Sequence, residues 1–211
     1  MKGINLDWES GWGNNITCHQ ELWGKAVKTF RKHGKELALS IDDSKAIPFN
    51  RASTNWSFET DWGLFKGYAD VFINMGTYPG KWSKGISWPA WQYVESYSCA
   101  DAPACAWRGC DPNRTCGLEG QILDMIKYGV KPGYQLQPGL WVDDCAPNGT
   151  MTSAGWTQPS LRQFLAILDQ QGVKVITIWT NDAFLLVGKK GSTNTCPWFV
   201  PELRKWVLNG L

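Results

Sequence analysis

The sequence predicts an α/β protein built around a mainly parallel sheet; one observation supports this class, and a second bears on which kind of parallel sheet it is. Short apolar strand segments alternate with amphipathic helical segments along the chain, and this alternation is typical of parallel sheets because each crossover takes a helix. The first strand segment is followed by E-S-G-W-G rather than by a full G-x-G-x-x-G phosphate loop, the loop that typically marks an open doubly wound sheet. A barrel and an open sheet both accommodate the order of elements.

Five strands and four helices are predicted in chain order. The strands are residues 4–8, 37–41, 69–75, 135–142 and 173–179. The helices are residues 20–33, 118–128, 161–171 and 197–209. Four apolar side chains share one face of the first helix: Leu22, Ala26, Val27 and Phe30. Gly34 and Gly172 follow the first and third helices and are expected to end them.

Residues 80–116 form a long insertion in what is otherwise one domain spanning residues 1–211. The insertion is rich in Trp, Ser, Gly and Pro and shows neither helical nor strand periodicity. It also contains four of the seven cysteines: Cys99, Cys105, Cys110 and Cys116. Because no two cysteines form a C-x₂-C pair, disulfide bonds are favoured over a zinc ribbon. We therefore expect a disulfide-stapled loop and no metal site.

Composition excludes several classes of function. The net charge is +2 and the basic residues are scattered, so nucleic acid and anionic membranes are not expected partners. No apolar run approaches the ~20 residues of a membrane span. The chain has two histidines and lacks the G-x-S-x-G, H-E-x-x-H and Walker motifs. No cofactor is expected, and the oligomeric state is left open.

Other features indicate an extracellular or secretory-pathway protein. N-glycosylation acceptor patterns begin at four positions: Asn15, Asn55, Asn113 and Asn148. The cysteines are best explained as disulfides of an oxidising compartment. The first residues do not resemble a signal peptide, and we expect that such a peptide has been lost by truncation. Fourteen tryptophans fit a carbohydrate site, where aromatic faces stack on sugar rings.

Polar side chains alternate along the first strand at Asn5, Asp7 and Glu9. A period of two places these three residues on one face of the strand. The intervening residues are apolar: Ile4, Leu6 and Trp8. In a barrel the polar row lies inside, with Glu9 at the carboxyl rim, where barrel enzymes keep their chemistry. A polar ladder that only ties the interior together is the alternative interpretation of the same pattern.

Residues 1–9, which read M-K-G-I-N-L-D-W-E, resemble the fourth-strand signature of family 18 glycoside hydrolases. That signature runs apolar, Asp or Asn, Gly, apolar, Asp or Asn, apolar, Asp, any residue, Glu; only Lys2 departs from it. Residues 73–78 are similar to the family's sixth-strand region, with Tyr78 at the tyrosine and Pro79 in place of an Asp. Trp179 resembles the eighth-strand tryptophan that forms the floor of the sugar-binding subsite.

The resemblance implies a (β/α)₈ barrel of which strands four to eight are present. It also implies substrate-assisted retaining hydrolysis of β-linked N-acetylglucosamine-type glycans. Glu9 would protonate the leaving oxygen, with a pKa raised by Asp7. Asp7 would hold the acetamido N–H, with Asn5 as its neutral hydrogen-bond partner. Tyr78 would donate to the acetamido oxygen, and Trp179 would stack under the sugar.

Further substrate-binding candidates lie at the ends of other predicted strands: Trp141, Asp143 and Asp42. Asn5 stands where an Asp is more usual, and Pro79 removes a sixth-strand acid. Two other functions therefore stay open beside the glycosidase. The chain is then either a non-catalytic, secreted chitinase-like carbohydrate-binding protein or an inactive gene fragment. For the glycosidase and for the carbohydrate-binding protein, the expected partner is a carbohydrate.

Overall fold

The structure, a computed structural model, describes residues 2–7, 16–41, 66–74, 77, 94–98, 115–141, 156–179 and 198–209. Seven strands are present in these ranges: β1 Gly3–Asp7, β2 Glu36–Ile41, β3 Val71–Asn74, β4 Tyr97–Ser98, β5 Thr115–Cys116, β6 Leu136–Trp141 and β7 Thr177–Trp179. The helices are α1 Ile16–Lys32, α2 Leu118–Lys127, α3 Gln158–Gln170 and α4 Phe199–Asn209. The predicted α/β class is confirmed.

Five strands form one parallel sheet in the order β1-β2-β3-β6-β7. The spatial order equals the chain order, so the sheet shows no point at which the strand order reverses, as it does in a doubly wound fold. The parallel sheet is curled into a half-barrel, a shape that the regular twist between neighbouring strands favours. The barrel alternative of the sequence prediction is therefore favoured over the open sheet.

A side-chain cap sets the start of one helix, and two glycines set the ends of two helices. The Thr157 hydroxyl accepts a hydrogen bond from the Ser160 backbone N–H at 3.2 Å, and the Ser160 hydroxyl accepts one from the Thr157 N–H at 3.0 Å. This reciprocal cap starts α3 at Gln158, three residues before the predicted start. Gly34 and Gly172 have φ values of 63° and 72°, which confirms them as helix stops. Within the described ranges, no helix is long and apolar enough to cross a membrane.

The core lies between the sheet and its helices. Leu39, Phe72 and Leu136 are fully buried on the helix side of the sheet, against Ile122 of α2 and Phe164 of α3. The strand register aligns position 7 with Ser40, Ile73 and Gln137 on the opposite face. Those three side chains are also buried, but none belongs to the helix-side cluster. The sheet thus has two buried faces, as parallel sheets usually do.

One side chain of the predicted apolar face of α1 does not pack. Trp23 and Val27 are buried in the core, whereas Leu22 is 51% exposed. Leu22 lies about 100° around the helix from Trp23, which points it away from the sheet-facing stripe. Leu22 therefore lies outside the part of α1 that is buried against the sheet.

A two-residue strand pair, β4 with β5, lies within the insertion, where the sequence predicted no strand. Tyr97 pairs with Cys116 and Ser98 with Thr115 in antiparallel register. Strands this short contain no readable period, which is why the sequence pattern missed them. Glu119 at the start of α2 accepts a hydrogen bond from the Ser96 N–H at 2.8 Å. The other three cysteines of the insertion lie outside the described residues, and the disulfide staple stays a prediction.

Helices α3 and α4 are joined by a charged cluster around Glu202. The Arg162 guanidinium donates to both carboxylate oxygens of Glu202, at 2.6 and 2.9 Å, and Gln158 donates a third bond at 2.8 Å. The Glu202 side chain is only 8% exposed. Arg162, through these hydrogen bonds, holds the pKa of Glu202 at about 2, well below its ordinary value.

Strands β3 and β6 are tied together near their carboxyl ends by Thr77. Its buried hydroxyl lies 2.8 Å from the carbonyl oxygens of both Asn74 and Gly139 and shares its proton between them. The Asn74 side chain in turn donates to Gln121 of α2 at 3.3 Å, and both amides are buried. Because buried polar groups are costly unless they are bonded, this network fixes the end of β3 against its neighbour and its helix.

We expect Glu202→Gln to lower the free energy of unfolding by about 1–3 kcal/mol at pH 7, because hydrogen bonds to a charged acceptor are lost. A depressed pKa contributes stability above the unfolded pKa. That contribution is lost as the pH falls from about 4.5 towards about 2. Urea unfolding at several pH values measures both effects. The control is Glu21→Gln, because Glu21 is an exposed residue of α1. A variant difference that does not shrink between pH 5 and pH 2 would contradict this assignment.

We expect Thr77→Val to lower the free energy of unfolding by about 1–2 kcal/mol, since two buried carbonyls lose their shared donor while the side-chain volume is kept. The matched control is Thr29→Val, because the exposed Thr29 hydroxyl bonds only within its own helix, to the Lys25 carbonyl at 2.9 Å. That change should stay within about 0.5 kcal/mol. Equal effects of the two substitutions in urea titrations would sink the proposed link.

Candidate functional site

All five parallel strands end at the same edge of the sheet. Their last residues are Asp7, Ile41, Asn74, Trp141 and Trp179. In barrels this carboxyl edge carries the loops that bind and convert substrates. Three of the predicted site residues, Asp7, Trp141 and Trp179, thus occupy strand ends on one edge, as the sequence pattern required.

Asn5 is held by a residue that the sequence prediction missed. Its Nδ2 donates to the Ser40 Oγ at 2.9 Å, and the Ser40 hydroxyl donates back to Asn5 Oδ1 at 3.0 Å. Ser40 is 2% exposed and is the register partner of Asp7. The Asn5 amide is therefore oriented from the neighbouring strand, one step below position 7. The available signal was a polar residue between two apolar ones, Leu39 and Ile41, near the end of β2.

The far side of the same face carries a second neutral polar pair. The Thr177 hydroxyl donates to Gln137 Oε1 at 2.8 Å, and Gln137 Nε2 donates to the Tyr134 carbonyl at 3.0 Å. The register places Trp141 directly beside Trp179, two residues beyond the Gly139–Thr177 pair. Alternation therefore puts both tryptophan positions on the face of Gln137 and Thr177.

The centre of this face is apolar. Val71 and Ile73 on β3 are 4% and 5% exposed and separate the Asn5–Ser40 pair from Gln137. Amides and hydroxyls at the sides with an apolar centre are the groups that bind neutral polyhydroxylated ligands, which offer both hydrogen-bonding edges and apolar C–H faces.

A charged cluster of Lys2, Glu36 and Tyr134 lies at the opposite, amino end of the sheet. The Tyr134 hydroxyl donates to the Glu36 carboxylate at 2.8 Å, and the Lys2 Nζ lies 4.6 Å from the centre of the Tyr134 ring. The hydrogen bond with Glu36 raises the pKa of the Tyr134 hydroxyl above its usual value. Because this end is remote from the carboxyl edge, the cluster belongs to the supporting end of the sheet rather than to the site.

Four predicted site residues lie outside the described residues: Glu9, Asp42, Tyr78 and Asp143. Along the chain, each follows the end of a strand by one to four residues. Tyr78 comes directly after Thr77, the buried residue that ties β3 to β6. Among the described side chains, no group of three metal-ligating residues is present.

No protein-family model and no curated protein matches the chain. Solved structures do match. The Group IV chitinase of Ostrinia furnacalis in complex with allosamidin is similar at 12% identity and a TM-score of 0.56, over 99% of this chain and 68% of that chain. A GH18 chitinase from Cycas revoluta in complex with (GlcNAc)3 gives 11% identity and a TM-score of 0.53, over 99% and 68%.

A class V chitinase from Pseudomonas fluorescens Pf-5 is similar at 15% identity and a TM-score of 0.53, over 99% of this chain and 66% of that chain. Identities this low show a shared fold and do not show a shared activity or substrate. Together with the parallel half-barrel, they show that this chain has the fold of the family 18 glycoside hydrolases.

Proposed function

We propose that this protein hydrolyses β-linked N-acetylglucosamine-type glycans with assistance from the substrate's own acetamido group. The observation that carries the proposal is the polar row on β1, which ends at the carboxyl edge of a chitinase-type sheet. Solved chitinases of this fold bind allosamidin and (GlcNAc)3. The ligand class proposed for this chain follows from those two similarities taken together.

The proposed reaction begins with protonation of the leaving oxygen by Glu9. The substrate's acetamido oxygen attacks the anomeric carbon as the glycosidic bond breaks, which makes an enzyme nucleophile unnecessary. Asp7 holds the acetamido N–H and stabilises the positive charge of the oxazolinium that forms. Water then opens this intermediate with retention of configuration, and Glu9 takes up the proton.

Neutral groups support the charged ones in this scheme. Asn5 lies two residues before Asp7 and is fixed by Ser40, so it offers a preoriented amide to the Asp7 carboxylate. Tyr78 follows the anchored Thr77 and donates to the acetamido carbonyl. Preorganised donors are effective because they need no reorganisation during the reaction.

Sugar binding is assigned to the other side of the edge. Trp141 and Trp179 are register neighbours at the ends of β6 and β7, and Trp179 stacks beneath the reacting sugar in the proposed complex. Asp42 and Asp143 follow the ends of β2 and β6 and supply hydrogen bonds to sugar hydroxyls. The five strands correspond, in this proposal, to strands four to eight of an eight-stranded barrel.

A non-catalytic carbohydrate-binding protein is the second candidate. The specific observation in its favour is the Asn5–Ser40 pair, because a neutral amide at this position cannot share a proton with Asp7. Retained sugar binding without any turnover, in protein that carries the complete barrel, would select this candidate over the hydrolase.

We expect Glu9→Gln to reduce kcat by at least ~100-fold and to leave oligosaccharide binding largely intact, as loss of a general acid should. The assay uses chitin oligosaccharides and protein that carries the complete barrel, with Glu21→Gln on α1 as the control. An oxazoline-type inhibitor should bind the active protein. Full activity of the Glu9 variant would contradict its assignment as the acid, and an active enzyme that ignores the inhibitor would point to a second carboxylate.

The cysteine-rich insertion is proposed to be disulfide-stapled in an oxidising, secretory compartment. Within it, β4 and β5 pair with each other, so the segment between them has its two ends held together, and further crosslinks would order that segment. Alkylation before and after reduction, read by mass spectrometry, should leave Cys99, Cys105, Cys110 and Cys116 unlabelled in the native secreted protein. Full labelling without reductant would refute the staple.

A further inference from the structure

We infer that the amino end of the sheet is a binding surface for an acidic polysaccharide, separate from the candidate site at the carboxyl edge. This basic end comprises the residues that lead into the five parallel strands: 2–3, 31–36, 66–70, 127–135 and 169–174. The inference rests on the distribution of charge in the fold and does not depend on the proposed reaction.

The fold gathers basic residues that are scattered along the sequence. Every strand of a parallel sheet is entered from the same edge, so the connections that precede the strands lie side by side. Each of the five connections carries at least one exposed basic residue, and together they supply eight: Lys2, Arg31, Lys32, Lys35, Lys66, Lys127, Lys131 and Lys174. Because neighbouring strands are about 4.8 Å apart, the basic end extends for roughly 19 Å along the edge from β1 to β7.

Contacts between the connections show that the basic end is one continuous surface. The Arg31 guanidinium lies 2.7 Å from the Asp70 carboxylate. The Lys66 Nζ would lie 3.3 Å from a Cβ built on Gly129, so this side chain crosses from the connection before β3 to the one before β6.

The same continuity holds on both sides of these contacts. The Lys174 N–H donates to the Gly133 carbonyl at 3.4 Å, which joins the connections before β6 and β7. The Tyr134 hydroxyl donates to Glu36 at the start of β2, and the Lys2 Nζ lies over the Tyr134 ring. Basic residues from all five connections therefore belong to one surface.

Acidic residues are few at this end and already have partners. There are three: Asp70 binds Arg31, Asp169 lies 3.9 Å from Lys174, and Glu36 accepts the Tyr134 bond. Eight basic and three acidic residues leave an excess of five positive charges. Since the whole chain carries +2, all other residues together carry a net charge of −3.

Four lysines supply most of this excess: Lys32, Lys66, Lys127 and Lys131. Among the described carboxylates, none forms an ion pair with any of the four. A row of exposed ammonium groups attracts a partner of opposite charge, and a linear polyanion contacts several of them at once.

The neighbouring side chains indicate which class of polyanion fits. Single-stranded nucleic acid binds by stacking its bases on open aromatic faces, but the ring of Tyr134 is covered by Lys2 and its hydroxyl is bonded to Glu36. Tyr134 is also the one exposed large apolar side chain within these described connections, so apolar groups that would enter a membrane interface are lacking there. An acidic polysaccharide needs neither, because its carboxylates or sulfates bind ammonium groups directly.

The test measures binding of the protein to heparin, to polygalacturonate and to neutral dextran at about 0.1 M salt. The two acidic polymers should bind, with an affinity that falls steeply as salt is raised, and dextran should not. Lys32→Gln combined with Lys131→Gln should weaken binding by at least ~10-fold, because two contacts to the polyanion are lost. Hydrolysis of chitin oligosaccharides should be unchanged in this double variant, since the basic end is remote from the carboxyl edge.

The matched control is Lys25→Gln combined with Arg204→Gln, which removes the same two charges from exposed positions on α1 and α4. Equal weakening by the two double variants would show a response to net charge alone and would overturn the inference. Binding to neither acidic polymer would do the same. Tighter binding to phosphatidylserine vesicles or to oligothymidylate than to both polymers, lost in the Lys32 and Lys131 variant, would assign the surface to a membrane or a nucleic acid instead.

Discussion

Parallel pairing of five strands in chain order is the constraint on which the rest of this structure depends. It brings all strand ends to one edge, so residues distant in sequence, such as Asp7 and Trp179, share a side of the molecule. The same pairing assigns alternate residues to opposite faces. Leu39 and Phe72 therefore join the helix-packed core, while Ser40 and Gln137 line the other face. The candidate site lies on the face of Ser40 and Gln137, because the helices pack against the other face of the sheet.

The helix layer supports that edge through buried polar contacts as well as apolar packing. Thr77 joins the ends of β3 and β6, and Gln121 of α2 holds Asn74 from behind. Further out, Glu202 binds Arg162 and clamps α3 to α4. Removing one partner of any of these contacts lowers the free energy of unfolding. Residues that follow the strand ends are thus attached to a framework that is fixed on its helix side.

Sequence periodicity predicted the five strands of the parallel sheet and the four described helices, because apolar alternation and helical stripes depend on local burial alone. It also predicted Asn5 and Asp7 on one face of β1. It could not predict the Asn5–Ser40 bond, which depends on strand register, nor Thr77, whose two carbonyl partners are set by the approach of β3 to β6. The exposure of Leu22 could not be predicted either, because apolar spacing does not tell which flank of a helix has a neighbour.

Binding of N-acetylglucosamine oligomers at the carboxyl edge of the sheet is the property on which the proposed function depends. It can be measured by NMR titration of the isotope-labelled protein, carrying the complete barrel, with (GlcNAc)3. We expect saturable shifts of the Asn5 side-chain amide and of the Trp141 and Trp179 indoles. Trp156, which is fully buried against Phe164 on the helix side, should not respond. Saturable shifts confined to other regions, or no shifts at millimolar ligand, would show that this edge does not bind these oligomers.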